Sequence, residues 1–154
     1  MKLYLAQHAK AASKDIDPQR SLTEEGLRDI QKIAAFIYPL NLSVDYLWHS
    51  GKKRAQQTAV FLAEVLTINT EHAAHDGLAP NDDVKAIENQ IMSLKQDVMI
   101  VGHLPFLSKL ASLLLTGCES PDTVSFQNAG IVCLHCPDDG QWQFDWMIIP
   151  QLLT

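Results

Sequence analysis

"DVMIVGHLP", residues 97 to 105, decides the fold. A nearly continuous apolar run such as Val98 to Gly102 is the pattern of a strand covered on both faces, as in the interior of a parallel sheet. A strand with one wet face would alternate apolar and polar residues instead. The run stops at His103, and "PFLSKLASLLLTG" (105–117) then reads as a helix with Pro105 near its first turn. A buried strand running straight into a helix predicts an α/β architecture.

Working outward, "KLYLAQ" (2–7) is a short, mostly buried first strand, followed by a polar loop over 9–20. "SLTEEGLRDIQKIAAFIYPL" (21–40) predicts a helix that opens with Ser21 and Glu24 at capping-box spacing. Its apolar stripe is Leu27, Ile30, Ala34 and Ile37, and Pro39 ends it. "VDYLWHS" (44–50) is a second strand, leading into an amphipathic helix, "GKKRAQQTAVFLAEVL" (51–66). Residues 69–83 read as irregular, punctuated by Gly77 and Pro80, and "DVKAIENQIMSL" (83–94) as a third helix. Near the end, "AGIVCLHC" and "GQWQFDWMII" are two strands around a Pro137-Asp138-Asp139-Gly140 turn. No repeat, low-complexity tract or linker interrupts the pattern. Residues 1–154 are therefore expected to form one domain: a three-layer α/β/α sandwich with a mixed, mainly parallel sheet and an antiparallel edge.

The 154 residues are enough to bury a core without disulfides or metals. The formal net charge of -6, with no run of Lys or Arg, argues against nucleic acid as a partner. An acidic chain can still hold a small electropositive pocket for a phosphorylated substrate. No stretch approaches the roughly 18 apolar residues of a membrane span, so no membrane partner is expected. The start, "MKLYLAQHAK", turns polar too soon for a signal peptide. An odd count of three cysteines suggests a reducing compartment, and the expected location is the cytoplasm.

Ligands of parallel sheets gather at the carboxyl ends of the strands. His8, Ser50 and His103 each fall where a predicted strand ends, Arg54 opens the helix after Ser50, and Arg20 lies in the loop before the first long helix. Two arginines and two histidines brought together suit a phosphoryl group. Guanidinium binds phosphate as a permanently charged fork, one imidazole can act as nucleophile, and the second can stabilise the phosphoryl oxygens.

On these residues the chain resembles the histidine phosphatase superfamily, with its phosphoglycerate mutase-like fold. The superfamily's Arg-His-Gly after strand one, its "S-x-x-x-R-A-x-Q-T-A" and its late Gly-His read here as "QHA" (7–9), "SGKKRAQQTA" (50–59) and "VGHLP" (101–105). Small size, "PQRSLTEEG" (18–26) and "GLAPNDDV" (77–84) are similar to the SixA-type phosphohistidine phosphatases. The resemblance implies a phosphatase that needs no metal or other cofactor. In it His8 attacks phosphorus, Arg54 and Arg20 grip the phosphoryl oxygens, His103 stabilises the group in transfer, and water hydrolyses the phosphohistidine. Gln7 and Ser50 stand at further substrate-binding positions, and Ser50 could equally cap its helix. The implied partner is a protein phosphorylated on histidine, such as a histidine-containing phosphotransfer domain.

Two departures stand out. Gln7 replaces the family's arginine, and loss of a charged fork is expected to weaken phosphate binding by ~2 kcal/mol or more. Lys10 is the nearest cation that could compensate. Ala9 replaces the family's glycine, at little cost unless its φ is positive. No carboxylate matches the general acid of the larger relatives, although Asp76, Asp82 and Asp83 lie in the right region. A missing acid suits a P–N bond, because imidazole leaves more readily than an alkoxide. Two alternatives stay open: a small-molecule phosphomonoesterase, and a non-catalytic phosphate- or phosphoprotein-binding module made degenerate by Gln7.

Other polar and aromatic features read as structural. Cys133 and Cys136, three apart on a strand, face opposite sides and predict no metal site. His72 and His75 are assigned to a solvated loop, His49 and His135 to no role, and Trp48, Trp142 and Trp146 to packing.

Overall fold

The computed structural model describes residues 1–154. Six strands form one sheet: β1 (Lys2–Gln7), β2 (Ser43–His49), β3 (Thr67–Ala74), β4 (Val98–Gly102), β5 (Ile131–His135) and β6 (Gln143–Ile148). Their order is β3-β2-β4-β1-β5-β6. The first four run parallel, whereas β5 pairs antiparallel with both β1 and β6. Four helices cover the sheet: α1 (Glu24–Ile37), α2 (Lys53–Ala63), α3 (Val84–Leu94) and α4 (Phe106–Thr116).

The apolar run that announced β4 is explained by the layers on either side of it. Val98 and Ile100 face a core that includes Leu3, Leu5, Val132 and Leu134 together with residues of α3 and α4. Met99 and Val101 face the other core, with Tyr4, Ala6, Leu47 and residues of α1 and α2. Both faces of β4 are dry, so neither parity of residue can be polar. Phe106 is wholly buried in the first core, where truncation to Ala would cost about 3–5 kcal/mol. Cys133 and Cys136 fall into opposite cores, as their spacing requires.

Three expectations need correction. Residues 69–83 are not all irregular: Thr67–Ala74 is β3, the edge strand beside β2. Its side chains are mostly exposed, so "TINTEHAA" carries no apolar alternation to betray a strand. The first helix is capped by Thr23, whose hydroxyl accepts from Gly26 N, rather than by Ser21. Ser21 instead belongs to the preceding loop, its N–H donating to Asp17. His72 and His75 are not loop residues of one kind either. His72 lies on β3, and the His75 ring stacks on Trp48 with centroids 4.0 Å apart.

Topology places the site. From β1 the chain crosses by α1 to the β2 side of the sheet, and from β4 it crosses by α4, on the opposite face, to β5. The two connections diverge from adjacent strands, leaving a crevice at the carboxyl ends of β1 and β4. Gln7 and Gly102 are register partners there, so the next residues, His8 and His103, meet.

Candidate active site

His8 N donates to the Gly102 carbonyl at 3.0 Å, extending the β1–β4 ladder by one residue. The His8 and His103 ring centroids are 5.0 Å apart. His8 Nδ1 lies 2.7 Å from the Ala9 carbonyl, which can only accept, so Nδ1 carries the proton and the lone pair sits on Nε2. Burial lowers the His8 pKa to about 4, helped by Arg54 and Arg20 and opposed by the Ala9 hydrogen bond. His103, only 2% exposed, is pushed down to about 3 by burial and then by His8, Arg54, Lys52 and Arg20. Both imidazoles are neutral at pH 7.

Ser50 Oγ lies 2.6 Å from His103 Nε2 and accepts from Lys52 N at 3.3 Å. The N-cap of α2 is Lys52, so Ser50 does not cap it. The imidazole of His103 does not cap α4 either; its backbone carbonyl accepts from Leu107 N. Arg54 occupies the first turn of α2, beside the positive end of the helix. Its Nε is buried without a partner, as are His103 Nδ1 and Gln7 Oε1. Unpartnered buried polar atoms are costly, and three of them belong to residues that the sequence assigned to a phosphoryl site.

Arg20 has φ 53, a conformation that costs a non-glycine residue about 1 kcal/mol or more. Asp17 holds it there: the Asp17 carbonyl accepts from Arg20 N, and its carboxylate takes the N–H groups of Gln19 and Ser21. Arg20 Nε then donates to the Ala12 carbonyl at 3.1 Å. The end of β1 is clamped from the other side by the segment before β5. Asn128 Nδ2 donates to the His8 carbonyl at 2.9 Å, and Ala129 N bonds the carbonyls of Gln7 and His8.

"RAQQTA" has a structural meaning beyond its arginine. Thr58, fully buried, donates to the Arg54 carbonyl and accepts from Ala9 N at 2.9 Å. Gln57 Oε1 accepts from Leu22 N at 2.8 Å. One helix thus holds both the loop after His8 and the loop after Arg20. Sequence reasoning missed Gln57, Thr58, Asp17 and Asn128 as positioning residues. The motif itself signalled the first two, whereas Asn128, 120 residues from His8, offered no local sign.

The departures also resolve in part. Lys10 turns away and pairs with Glu25 at 2.6 Å on the surface, so it does not stand in for the missing arginine. Ala9 is fully buried and is not among the residues of positive φ, so it costs little in place of glycine. Of the three candidate acids, Asp82 accepts from Ala79 N and Asp83 caps α3 through Lys85 N, while Asp76 is exposed just beyond β3. The largest cavity, about 510 Å³ and lined by Asp45, Asp97 and Asp138 among others, lies at the opposite end of the sheet and touches none of these groups. No helix is long and apolar enough to cross a membrane.

Fold and topology are those of the histidine phosphatases, the phosphoglycerate mutase-like α/β sandwich. Within it the likeness is to the SixA type. Phosphohistidine phosphatase SixA of Escherichia coli (strain K12) is 23% identical over 155 residues, covering 97% of this chain and 94% of that protein. A structure of the protein histidine phosphatase SixA complexed with tungstate superimposes with a TM-score of 0.86 at 22% identity, over 99% of both chains. A phosphoserine phosphatase mutant from Entamoeba histolytica, in complex with phosphoserine, shares the fold at a TM-score of 0.72 and 16% identity, again over 99% of both. No family model matches the chain.

Proposed function

We propose that the chain is a metal-independent phosphohistidine phosphatase that works through a phosphorylated His8. The observation that carries this reading is the pair of imidazoles at the crevice, ring centroids 5.0 Å apart, with the His8 proton held on Nδ1 by the Ala9 carbonyl. The Nε2 lone pair attacks phosphorus and the P–N bond to the substrate imidazole breaks. Arg54 and Arg20 hold the equatorial oxygens, and one of these oxygens takes over from Ser50 Oγ as acceptor of the His103 Nε2–H. The departing imidazole takes a proton from solvent. Water then attacks the His8 phosphoramidate, Nε2 regains its lone pair and phosphate leaves. The site offers no evident acid to protonate an alkoxide, since Asp82 and Asp83 are committed to backbone N–H groups. That favours a P–N substrate, and the E. coli relative's name agrees. The expected physiological substrate is a protein phosphorylated on histidine.

The test is phosphate release from a purified histidine-containing phosphotransfer domain phosphorylated on histidine, beside a His8→Ala control. Release that vanishes in the control supports the reading. His8-dependent release from phosphoserine or sugar phosphates alone would make the protein a phosphomonoesterase. Phosphate binding without turnover of any substrate would make it a binding module.

A further inference from the structure

The molecule is acidic overall, yet the loops at the mouth of the site carry cations without ion-pair partners. Only two ion pairs form, Lys2–Asp145 and Lys10–Glu25, so Lys52, Lys53, Arg20 and Arg54 are in neither. Lys52, the N-cap of α2, donates its backbone N–H to Ser50 Oγ beside His103, and Lys53 opens α2 next to Arg54. The same loops expose large aliphatic side chains. Ile16, on the turn that carries Arg20, is 82% exposed, and Leu104, directly after His103, is 39% exposed. Beside Leu104 opens a groove of about 370 Å³ to which Ser108, Val124 and Phe126 also contribute, with Asp122 its one charged residue.

A phosphate ester of a few ångströms would touch the arginines and histidines and leave Ile16 and Lys53 bare. A larger partner with a phosphorylated side chain on a carboxylate-rich surface would meet both the cations and the apolar residues. We propose that the loops after β1, β2 and β4 form a docking surface for an acidic, folded phosphoprotein. Ile16 and Leu104 make its apolar contacts, and Lys52 and Lys53 make its cationic ones. The proposal rests on the phosphatase reading and specifies what that site takes.

Ile16→Asp and Lys53→Glu test it, because neither residue belongs to the phosphoryl site. Two substrates are compared: phosphoramidate, and a histidine-containing phosphotransfer domain phosphorylated on histidine. Each variant is expected to lose at least about tenfold in kcat/KM toward the protein while staying within about twofold of wild type on phosphoramidate. Turnover of phosphoramidate also shows that the variants are folded. Raised salt should depress the protein reaction selectively. Equal losses on both substrates, or no loss on either, would overturn the docking surface. So would binding to phosphatidylserine vesicles that both substitutions abolish, with the protein reaction untouched, since the patch would then serve a lipid surface. A wild-type protein that turns over phosphoramidate but not the phosphoprotein overturns the docking surface alone. One that turns over neither overturns the phosphatase reading and the surface with it.

Discussion

Ser50 Oγ and His103 Nε2, 53 residues apart in sequence, are 2.6 Å apart at the mouth of the crevice. His103 is neutral, so one ring nitrogen carries a proton. Placing it on Nδ1 would bury an N–H with no acceptor, which costs more than a bare lone pair. The proton therefore sits on Nε2, where Ser50 accepts it and fixes the orientation of the ring. Ser50→Ala is expected to lower kcat about tenfold with little change in KM. Ser50→Thr, which restores a hydroxyl, should recover most of it. An equal effect of the two substitutions would show that packing, and not the hydrogen bond, matters.

The two histidines should titrate far below their ordinary range. Histidine NMR resonances of His8 and His103 are expected to stay in the neutral position down to about pH 5, with midpoints near 4 and 3. The consequence for stability has a definite direction. Above pH 6.5 both folded and unfolded states hold these rings neutral, and no dependence arises. As pH falls from 6.5 toward 4 the unfolded chain binds protons that the native site refuses, so the native state loses stability. Thermal melts should therefore decline more steeply in wild type than in a His8→Asn, His103→Asn double variant over that window. Saturating inorganic phosphate should raise the His103 midpoint, because an anion favours the imidazolium.

Gln7 stands where the resemblance expects an arginine, and Lys10, the nearest cation in sequence, pairs outward with Glu25 and does not replace the lost charge. Gln7 is 9% exposed and its Oε1 has no partner. Gln7→Arg is expected to tighten inhibition by tungstate or phosphate by about tenfold or more, the worth of a charged fork over a neutral amide. Unchanged or weaker inhibition would mean that the pocket has repacked around glutamine.

How far the sequence could be read follows the range of each interaction. β1 and β4 were legible because burial on both faces leaves a local apolar signature. β3 was not, because an edge strand held mainly by backbone pairing to β2 needs no apolar side chains to do it. The start of α1 was misplaced because Ser21 and Glu24 satisfy a spacing rule. The actual cap, Thr23, is fixed by a distant contact, its N–H on the Lys10 carbonyl. His8, Arg54 and His103 lay within recognisable motifs at strand and helix ends. The contacts that hold them, Asn128 to His8 and Ser50 to His103, span 120 and 53 residues and exist only once the strands have paired.

Gly26 links stability to catalysis most directly. It opens α1 against the loop that follows His8, and a Cβ at this position would fall 2.1 Å from the Lys10 carbonyl oxygen. Backbone, not a yielding side chain, is the obstacle, because Lys10 O also accepts from Thr23 N at 3.0 Å and Thr23 Oγ1 at 3.3 Å. Gly26→Ala must therefore push α1 away from the loop or move Lys10. The cost is expected at about 3 kcal/mol, at the upper end for overpacking, and should appear as a Tm lower by several degrees. A shift of Lys10 would pass through Ala9 to the hydrogen bond that fixes the His8 tautomer. The variant that remains folded at low temperature should then show a reduced kcat/KM as well. A loss of stability with unaltered kcat/KM would show that the loop yields on the α1 side and leaves Ala9 in place.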